Sequence, residues 1–345
     1  MKKYILNVLL FTLLTYSIQA QESNFKAISI GFYNLENLFD YEHDTLKNDY
    51  EFLPSGKRAW NEDRYREKLA NMAYVISQIG TDVTPAGLSI LGVAEIENRR
   101  VLEDLVKQST IADRNYQIVH YESPDYRGID VGLLYNPSHF TPTASKPIPL
   151  DFIEDGDTLF TREILAVEGI LDGDSMHILV NHWPSRRGGE KRSAPKRNQG
   201  AQACKDYIDS LKLINPDVKV IVMGDLNDDP SSESVRSYLL AETRVKDTEP
   251  HEMFNPMYDY YRRGLGSNAY RDNWSLFDQL IISPGLLDQE QDGYFYYKAL
   301  IFNKKFLIQR TGQYKGYPFR TFSFDKYQAG YSDHFPVYLY LVKKV

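Results

Sequence analysis

Apolar residues in this chain form short runs, separated by longer segments in which apolar residues recur at helical spacing. Many of the short runs are almost continuously apolar, which is typical of strands covered on both faces or packed between two sheets. The predicted strands are Ala27–Tyr33, Leu88–Glu95, Gln117–Tyr121, Ile129–Tyr135, Ile164–Ile170, His177–His182, Val218–Met223, Phe277–Ile282 and Val337–Val342.

The longer segments predict helices between these strands. In the first segment Leu69, Met72, Ala73 and Ile76 recur at the spacing of one helix face. The predicted helices are Glu62–Gln78, Val101–Gln108, Ala194–Leu213 and Ser232–Leu240. Because strands and helices alternate throughout, we expect one α/β domain with layered packing. We interpret Tyr294–Tyr331, which is rich in Tyr and Phe, as a hairpin with flanking loops.

The N-terminus has the pattern of an export signal. Lys2 and Lys3 precede the apolar stretch Tyr4–Leu14, and Ala20 is a small residue suited to cleavage. We therefore predict a signal peptide over residues 1–20 and a mature domain over residues 24–345, secreted or periplasmic. The apolar stretch is short for a membrane span, and no cysteine lies near the cleavage point to carry a lipid. The alternative is a buried N-terminal strand or helix.

Composition limits the classes of partner and of metal site. The net charge is −7, and removal of Lys2 and Lys3 with the signal leaves 38 basic and 47 acidic residues, a net charge of −9. Such a protein has no global attraction for polyanions, so nucleic-acid binding would need a local basic patch. The lone cysteine, Cys204, excludes an internal disulfide and a cysteine-based metal cluster.

The most specific polar pattern is Gly224-Asp225-Leu226-Asn227, which ends a predicted strand. Side chains two residues apart on an extended backbone project to the same side. A carboxylate and an amide placed in this way can orient a water or a phosphate oxygen, or share a hard cation. Asp228 and Asp229 follow, and we expect them to cap the next helix, with recruitment of a second cation as the alternative.

Other predicted strands also end in polar residues. Glu95 ends an apolar run, where a poorly solvated carboxylate needs a partner. That partner is either a bound divalent cation or a nearby arginine. Asn34 and Glu36 end the first strand in the same manner, although an isolated asparagine is more often a turn or cap residue.

Histidines follow two further strand ends. Ser332-Asp333-His334 precedes the last strand, and Asp278 could orient His334 for proton transfer. A capping Asp333 with a structural His334 is the alternative. His182 ends another strand, and a lone histidine there is more often structural.

A basic segment follows His182 and suits an anionic substrate, because guanidinium groups match phosphate in bidentate geometry. Its basic residues are Arg186, Arg187, Lys191, Arg192, Lys196 and Arg197. A solvated loop without function is the alternative. Arg127, close to Asp130, offers a further phosphate contact or a salt bridge within a turn.

Taken in order, these residues resemble the endonuclease/exonuclease/phosphatase superfamily over essentially the whole mature chain. The set is Asn34 with Glu36, Glu95, Arg127 with Asp130, His182, Asp225 with Asn227, Asp278, and Asp333 with His334. The resemblance implies a four-layer α/β (α+β) sandwich, in which two mixed β-sheets pack face to face with helices on the outer faces. It places the site at one edge of that sandwich.

The resemblance also implies roles. Glu95 is expected to be the main metal ligand, with Asn34, Glu36 and Asp333 near the ion or its waters. Asp225 and Asn227 would orient the attacking water and the phosphate. Asp278 and His334 would form a buried carboxylate–histidine couple, and His182 would stabilise the transition state or assist the leaving group. Hard oxygen ligands favour Mg²⁺, with Mn²⁺ or Ca²⁺ as alternatives. We expect Asn34, Arg127, Arg186 and Arg187 to contact the substrate.

The leading hypothesis is an exported, metal-dependent phosphodiesterase, specifically a nuclease acting on DNA or RNA. The closest alternative is a phosphatase or phospholipase-C-type enzyme acting on lipid head groups or small phosphate esters. Exposed aromatic residues at Tyr294–Tyr297 or Tyr317–Phe319 would then touch a membrane, unless they pack in the core. Tyr258–Tyr270 offers base stacking or, as we prefer, core packing. A non-catalytic binding module is the third hypothesis. We expect a monomer without an obligate protein partner.

Overall fold

The structure, a computed structural model, describes residues 24–345 except Asp155, together with the backbone but not the side chains of Glu154 and Asp157. The predicted signal peptide lies outside the described residues and stays a prediction. Among the helices of the described residues, none combines the length and the apolar character needed to cross a membrane.

The strands are β1 Phe25–Leu38, β2 Ile90–Ile96, β3 Gln117–His120, β4 Asp130–Tyr135, β5 Phe140–Ile148, β6 Phe152–Glu154, β7 Asp157–Leu159, β8 Ile164–Leu171, β9 Asp174–His182, β10 Val220–Asp225, β11 Ala241–Glu242, β12 Met253–Phe254, β13 Asn268–Tyr270, β14 Asn273–Ser275, β15 Asp278–Ile282, β16 Phe295–Ile301, β17 Phe322–Ser323, β18 Lys326–Tyr327 and β19 Val337–Lys344. The α-helices are α1 Glu62–Gln78, α2 Arg99–Val106, α3 Glu190–Lys212 and α4 Tyr258–Arg262. A π-helical turn spans Ser234–Tyr238.

Most strands belong to two large mixed sheets. The first has six strands in the order β16-β19-β1-β2-β4-β3, and the second has seven in the order β11-β12-β15-β10-β9-β8-β5. β1 and β2 are parallel in the first sheet, as are β9 and β10 in the second. The short strands β6–β7, β13–β14 and β17–β18 form separate two-stranded hairpins.

The alternation of side chains along β1 shows how the layers stack. Ile28, Ile30 and Phe32 point into an apolar core between the two sheets. Tyr33 and Leu35 point the other way, into a core shared with α1 and α2. Because successive strand residues face opposite sides, one strand contributes to two cores.

The second sheet uses β10 in the same way. Ile221 and Met223 face the core between the sheets. Val220 and Val222 pack with Cys204 and other residues of α3 on the outer side. The molecule is therefore a helix–sheet–sheet–helix sandwich, which confirms the predicted fold.

Several predicted elements differ from the structure. β5 was not predicted. It contains Pro142 and Pro147, which the structure tolerates because β5 is the edge strand of its sheet. The helix predicted at Ser232–Leu240 is reduced to the π-helical turn. The prediction of a hairpin within Tyr294–Tyr331 is wrong for β16, because β16 pairs with the distant β19. Within the same segment, β17 and β18 do form a short local hairpin.

Helix starts were predicted too late in two places. α2 starts at Arg99 because the side chain of Asn98 accepts a hydrogen bond from the backbone N–H of Val101. α3 starts at Glu190, so Pro195, expected in its first turn, lies inside the helix.

Gly224 gives a test of the packing between β9 and β10. Its φ is +159°, and a Cβ there would lie 2.3 Å from the carbonyl oxygen of Asn181. We expect Gly224→Ala to lower the free energy of unfolding by about 3–5 kcal/mol, since backbone must move. Gly264→Ala is the control, because Gly264 has φ +75° with nothing within 4 Å of the added Cβ. It should cost only about 1–2 kcal/mol. Equal losses in urea denaturation of the two variants would contradict the close approach of the strands.

Candidate active site

Strand register brings three polar side chains into one row. Asp225 of β10 pairs with His182 of β9 on one side and with Asp278 of β15 on the other. All three side chains are buried. The row lies at the end of these strands, so the apolar core stops where the polar residues begin.

Asp225 is the meeting point of the site. Its Oδ1 accepts a hydrogen bond of 2.9 Å from the backbone N–H of Asn227. Its Oδ2 accepts one of 3.0 Å from Nδ2 of Asn34, which lies on β1 of the opposite sheet. Burial raises the pKa of Asp225 to about 7, although the neighbouring His334 opposes the increase.

Asn227 continues from this row with its φ in the left-handed region, at +50°. Its side-chain Nδ2 donates to the carbonyl oxygen of Trp183 at 2.9 Å. The amide is therefore fixed to the segment that follows His182.

His334 forms a tight couple with Asp278. Its Nδ1 lies 2.6 Å from Oδ2 of Asp278, which also accepts a hydrogen bond from Ser267. Its Nε2 lies 3.8 Å from Oδ2 of Asp225. Burial works against a charge on His334, but the carboxylates of Asp278 and Asp225 outweigh it and hold its pKa well above the usual value. The side chain is therefore an imidazolium at neutral pH.

His182 has the opposite character. Burial, together with the positive charges of Arg162 and Arg127, holds the pKa of His182 well below its usual value, so its ring is neutral. Its Nε2 lies 3.7 Å from Oδ2 of Asp225 and 3.8 Å from Oε1 of Glu95.

Glu95 completes a group that could hold a metal ion. Ligand atoms of Glu95, His182 and Asp225 all lie within 4.8 Å of one another. Glu95 has φ +59° and its Oε2 accepts a hydrogen bond from the backbone of Asn37 at 3.0 Å. A non-glycine residue held in this conformation is often found at functional sites. Two carboxylates and a neutral imidazole, each with a buried or half-buried side chain, fit a divalent cation.

Glu36 and Asp333, both predicted near the metal, lie beside cationic side chains. Oε2 of Glu36 accepts a 2.6 Å hydrogen bond from the backbone of Thr321 and lies 4.0 Å from Nζ of Lys68. Asp333 accepts a 2.8 Å hydrogen bond from Arg320. Burial and the charge of Asp333 raise the pKa of Glu36 to about 7.

The predicted substrate-binding arginines are placed differently from one another. Arg187 is exposed, and Arg127 is half-exposed with its Nε 4.0 Å from Asp125. Asp130 pairs with His120 rather than with Arg127.

Arg186 is engaged within the protein. It donates hydrogen bonds to Asp228 at 3.2 Å and to Asp229 at 3.1 Å. Its guanidinium carbon lies 4.7 Å from the centre of the Phe277 ring. These two acidic residues therefore neutralise Arg186 and do not cap the helical turn that follows. The proposed phosphate contact of Arg186 would require these pairs to rearrange.

Sequence reasoning missed Lys68, Arg162 and Arg320. Lys68 falls three residues after the buried Tyr65 on the apolar face of α1, so its position within the helix was a usable signal. Arg162 and Arg320 lie outside the regular strands, and their pairing with Asp125 and Asp333 depends on contacts between distant segments.

Comparison with known proteins agrees with the architecture. A D. rerio TDP2 humanized by 14 mutations superposes with a TM-score of 0.53 at 13% identity, covering 91% of this chain and 98% of that one. An endonuclease/exonuclease/phosphatase family protein from Bacteroides thetaiotaomicron gives 0.54 at 14%, covering 94% and 97%. A mannosyl-6-phosphatase from Bacteroides thetaiotaomicron gives 0.55 at 15%, covering 91% and 99%. At these identities the likeness shows the fold.

No curated protein sequence matches the chain. The family model described as Endonuclease/Exonuclease/phosphatase family matches residues 29–343, which include every residue of the site described above. The chain therefore belongs to the endonuclease/exonuclease/phosphatase family, whose members hydrolyse phosphoester bonds.

Proposed function

We propose that this protein is an exported, metal-dependent phosphodiesterase, specifically a nuclease acting on DNA or RNA. The observation that carries the proposal is the position of Asp225, which is in contact with Asn34 and close to both a neutral and a charged imidazole. These are the groups that hydrolysis of a phosphate ester needs around an attacking water. The proposal of export rests on the predicted signal peptide. Mass spectrometry of the protein from a periplasmic extract would show whether residues 1–20 have been removed.

Charge balance supports a divalent ion. The acidic residues of the site exceed its cations by two charges when all are ionised. The acids are Glu36, Glu95, Asp225, Asp278 and Asp333, and the cations are Lys68, Arg320 and His334. One divalent ion would balance this excess, and burial without compensation is costly for carboxylates.

Glu95 and Asp225 would hold the ion, with His182 and Asn34 beside it and Glu36 and Asp333 near its waters. Mg²⁺ is the ion we propose, with Mn²⁺ or Ca²⁺ as alternatives. When bound it would polarise a phosphoryl oxygen and stabilise the developing negative charge.

The chain's own residues supply the remaining functions. Asp225 aligns the water and accepts its proton, since hydrogen bonds from Asn34 and from the backbone of Asn227 hold its carboxylate in one orientation within the site. The backbone N–H of Asn227 donates a hydrogen bond to Asp225, which fixes the orientation of that carboxylate. The imidazolium of His334, oriented by Asp278, donates to a phosphoryl oxygen. Because its ring is neutral, His182 does not act as the acid for the leaving oxygen, which takes its proton from solvent.

Hydrolysis of a small phosphate ester is the second candidate function. The fold shared with a mannosyl-6-phosphatase favours it, and lipid head groups belong to the same chemical class. A non-catalytic binding module is the weakest candidate, because Asn34, Glu95, Asp225, Asp278 and His334 are all present together.

A panel of substrates tests the function. Purified protein with Mg²⁺ should cleave single-stranded DNA, duplex DNA or RNA faster than it releases phosphate from mannose 6-phosphate or phosphocholine from sphingomyelin. Each reaction is repeated with EDTA, which should abolish it. A protein that acts on the monoester and leaves every nucleic acid intact would contradict the nuclease and favour the second candidate.

Metal binding can be measured apart from activity. Mg²⁺ at 100 times its dissociation constant should stabilise the folded protein by about 2.7 kcal/mol, which appears as a rise in melting temperature. Glu95→Gln should lose most of this rise, because the amide lacks the charge of the carboxylate. Glu103→Gln, a change at a half-exposed position of α2 that pairs with Arg99, is the matched control and should keep the rise. An equal rise in both variants would exclude Glu95 as a ligand.

The couple of His334 and Asp278 should matter for rate rather than for metal binding. Asp278→Asn removes the carboxylate that orients the ring and favours its charge, so kcat should fall by roughly 10²–10⁴-fold. The Mg²⁺-dependent rise in melting temperature should remain. A variant with unchanged kcat would show that His334 acts without this partner.

A further inference from the structure

A cavity of about 480 Å³ opens beside the candidate active site. Its lining carries several positive charges, including Arg127, Arg162 and Arg187, and among the described lining residues Asp125 is the acidic one. We call this cavity the basic groove. Arg162 is buried and paired with Asp125, whereas the side chains of Arg127 and Arg187 are exposed.

One backbone carbonyl group links the basic groove to the reaction centre. The backbone oxygen of Trp183 accepts hydrogen bonds from Arg162 at 3.0 Å and from Asn227 at 2.9 Å. Trp183 directly follows His182. A phosphate in the groove would therefore lie on the His182 side of Asp225.

Aromatic side chains lie on the other side of the centre, on β13, β14 and the segment before β18. Tyr270 is 69% exposed, Trp274 36% and Phe324 77%. The ring of Trp274 lies 6.1 Å from that of Tyr317, and Tyr317 lies 5.6 Å from Tyr314. We call these five residues the aromatic ledge.

The aromatic ledge is attached to the catalytic segment. Asn268, at the start of β13, forms a β-bridge with His334. Trp274 stacks on Phe335, with ring centres 5.9 Å apart and planes 16° from parallel. The hydroxyl of Tyr317 is hydrogen-bonded to Asp272 at 2.5 Å, which holds the loop against the hairpin. The rings of Trp274 and Tyr317 are thus held in place while part of each stays exposed.

Core packing explains other aromatic residues but not these. Tyr260 and Tyr261, from the segment for which core packing was preferred, do pack against the core between the sheets. The ledge residues belong to none of the three apolar cores of the described residues. Large exposed aromatic surface next to a reaction centre is a feature of binding sites.

We propose that the basic groove and the aromatic ledge together bind single-stranded nucleic acid across the reaction centre. This proposal rests on the proposed function and names its substrate class. Backbone phosphates would lie in the groove, and bases would stack on the ledge. Stacking of this kind needs unpaired bases, because the faces of paired bases are covered by their neighbours in a duplex.

Binding of a labelled oligonucleotide in EDTA tests the proposal without turnover. The probe is fluorescein-labelled decathymidylate, followed by fluorescence anisotropy at several salt concentrations. Stacking is worth roughly 1–3 kcal/mol per base, so Trp274→Ala should weaken binding by about 5- to 150-fold. Trp274→Phe keeps an aromatic face and should recover most of the affinity. Tyr297→Ala, at a 64% exposed position on β16, is the control and should bind as the wild type does.

The contribution of the basic groove can be measured separately, from the salt dependence of binding. Arg187→Gln should weaken binding and reduce the slope of log K against log salt by about 0.7, the amount expected when one phosphate contact on a single strand is lost. Arg244→Gln, at an exposed position outside the groove, should leave the slope unchanged.

Three results would overturn the proposal. They are unchanged affinity in both Trp274→Ala and Arg187→Gln, tighter binding of a duplex of the same length, and adsorption to phosphatidylserine vesicles in place of the oligonucleotide. Nucleic-acid cleavage that persists with any of these results would leave the proposed function standing. Absence of cleavage by the wild type, with hydrolysis of mannose 6-phosphate, would instead remove the proposed function itself.

Discussion

The hydrogen bond between Asn34 and Asp225 joins the two sheets at the edge where the apolar core ends. Both side chains are buried, so each depends on the other for hydrogen bonding that water does not supply. The bond fixes Asn34 on β1 against Asp225 on β10, and with it the relative position of the two sheets at the site. Residues from distant parts of the chain then meet because each follows or ends a strand of one sheet or the other.

This arrangement concentrates negative charge in a region with little solvent. The protein offsets part of that charge with its own cations. Lys68 and Arg320 lie beside Glu36 and Asp333, and His334 lies between Asp225 and Asp278. Among the described residues no lysine or arginine forms an ion pair with Glu95 or Asp225, and the neutral His182 beside both adds no positive charge. The part of the site nearest these two carboxylates is therefore where a metal ion would be most strongly held.

Much of this was predictable from sequence because strand ends are marked by abrupt changes from apolar to polar residues. The predicted bounds of α1 agree with the structure, and Asp225, Asp278 and His334 were correctly expected to lie together. Other pairings between distant segments were not predictable. The pairing of Arg186 with Asp228 and Asp229, and the pairing of β16 with β19, arise only when the two sheets are assembled. β5 contains two prolines, which a strand accommodates only at the edge of a sheet. The local sequence does not show that β5 lies at an edge.

The position of a bound metal ion would show whether the two sheets share one metal centre. A crystal of the protein soaked in Mn²⁺ and measured at the manganese absorption edge should show an anomalous peak within coordination distance of the carboxylates of Glu95 and Asp225. Crystals of Glu95→Gln soaked in the same way should lose this peak. A strong peak elsewhere in the molecule, with none between these two carboxylates at saturating Mn²⁺, would contradict a shared metal centre at the edge of the two sheets.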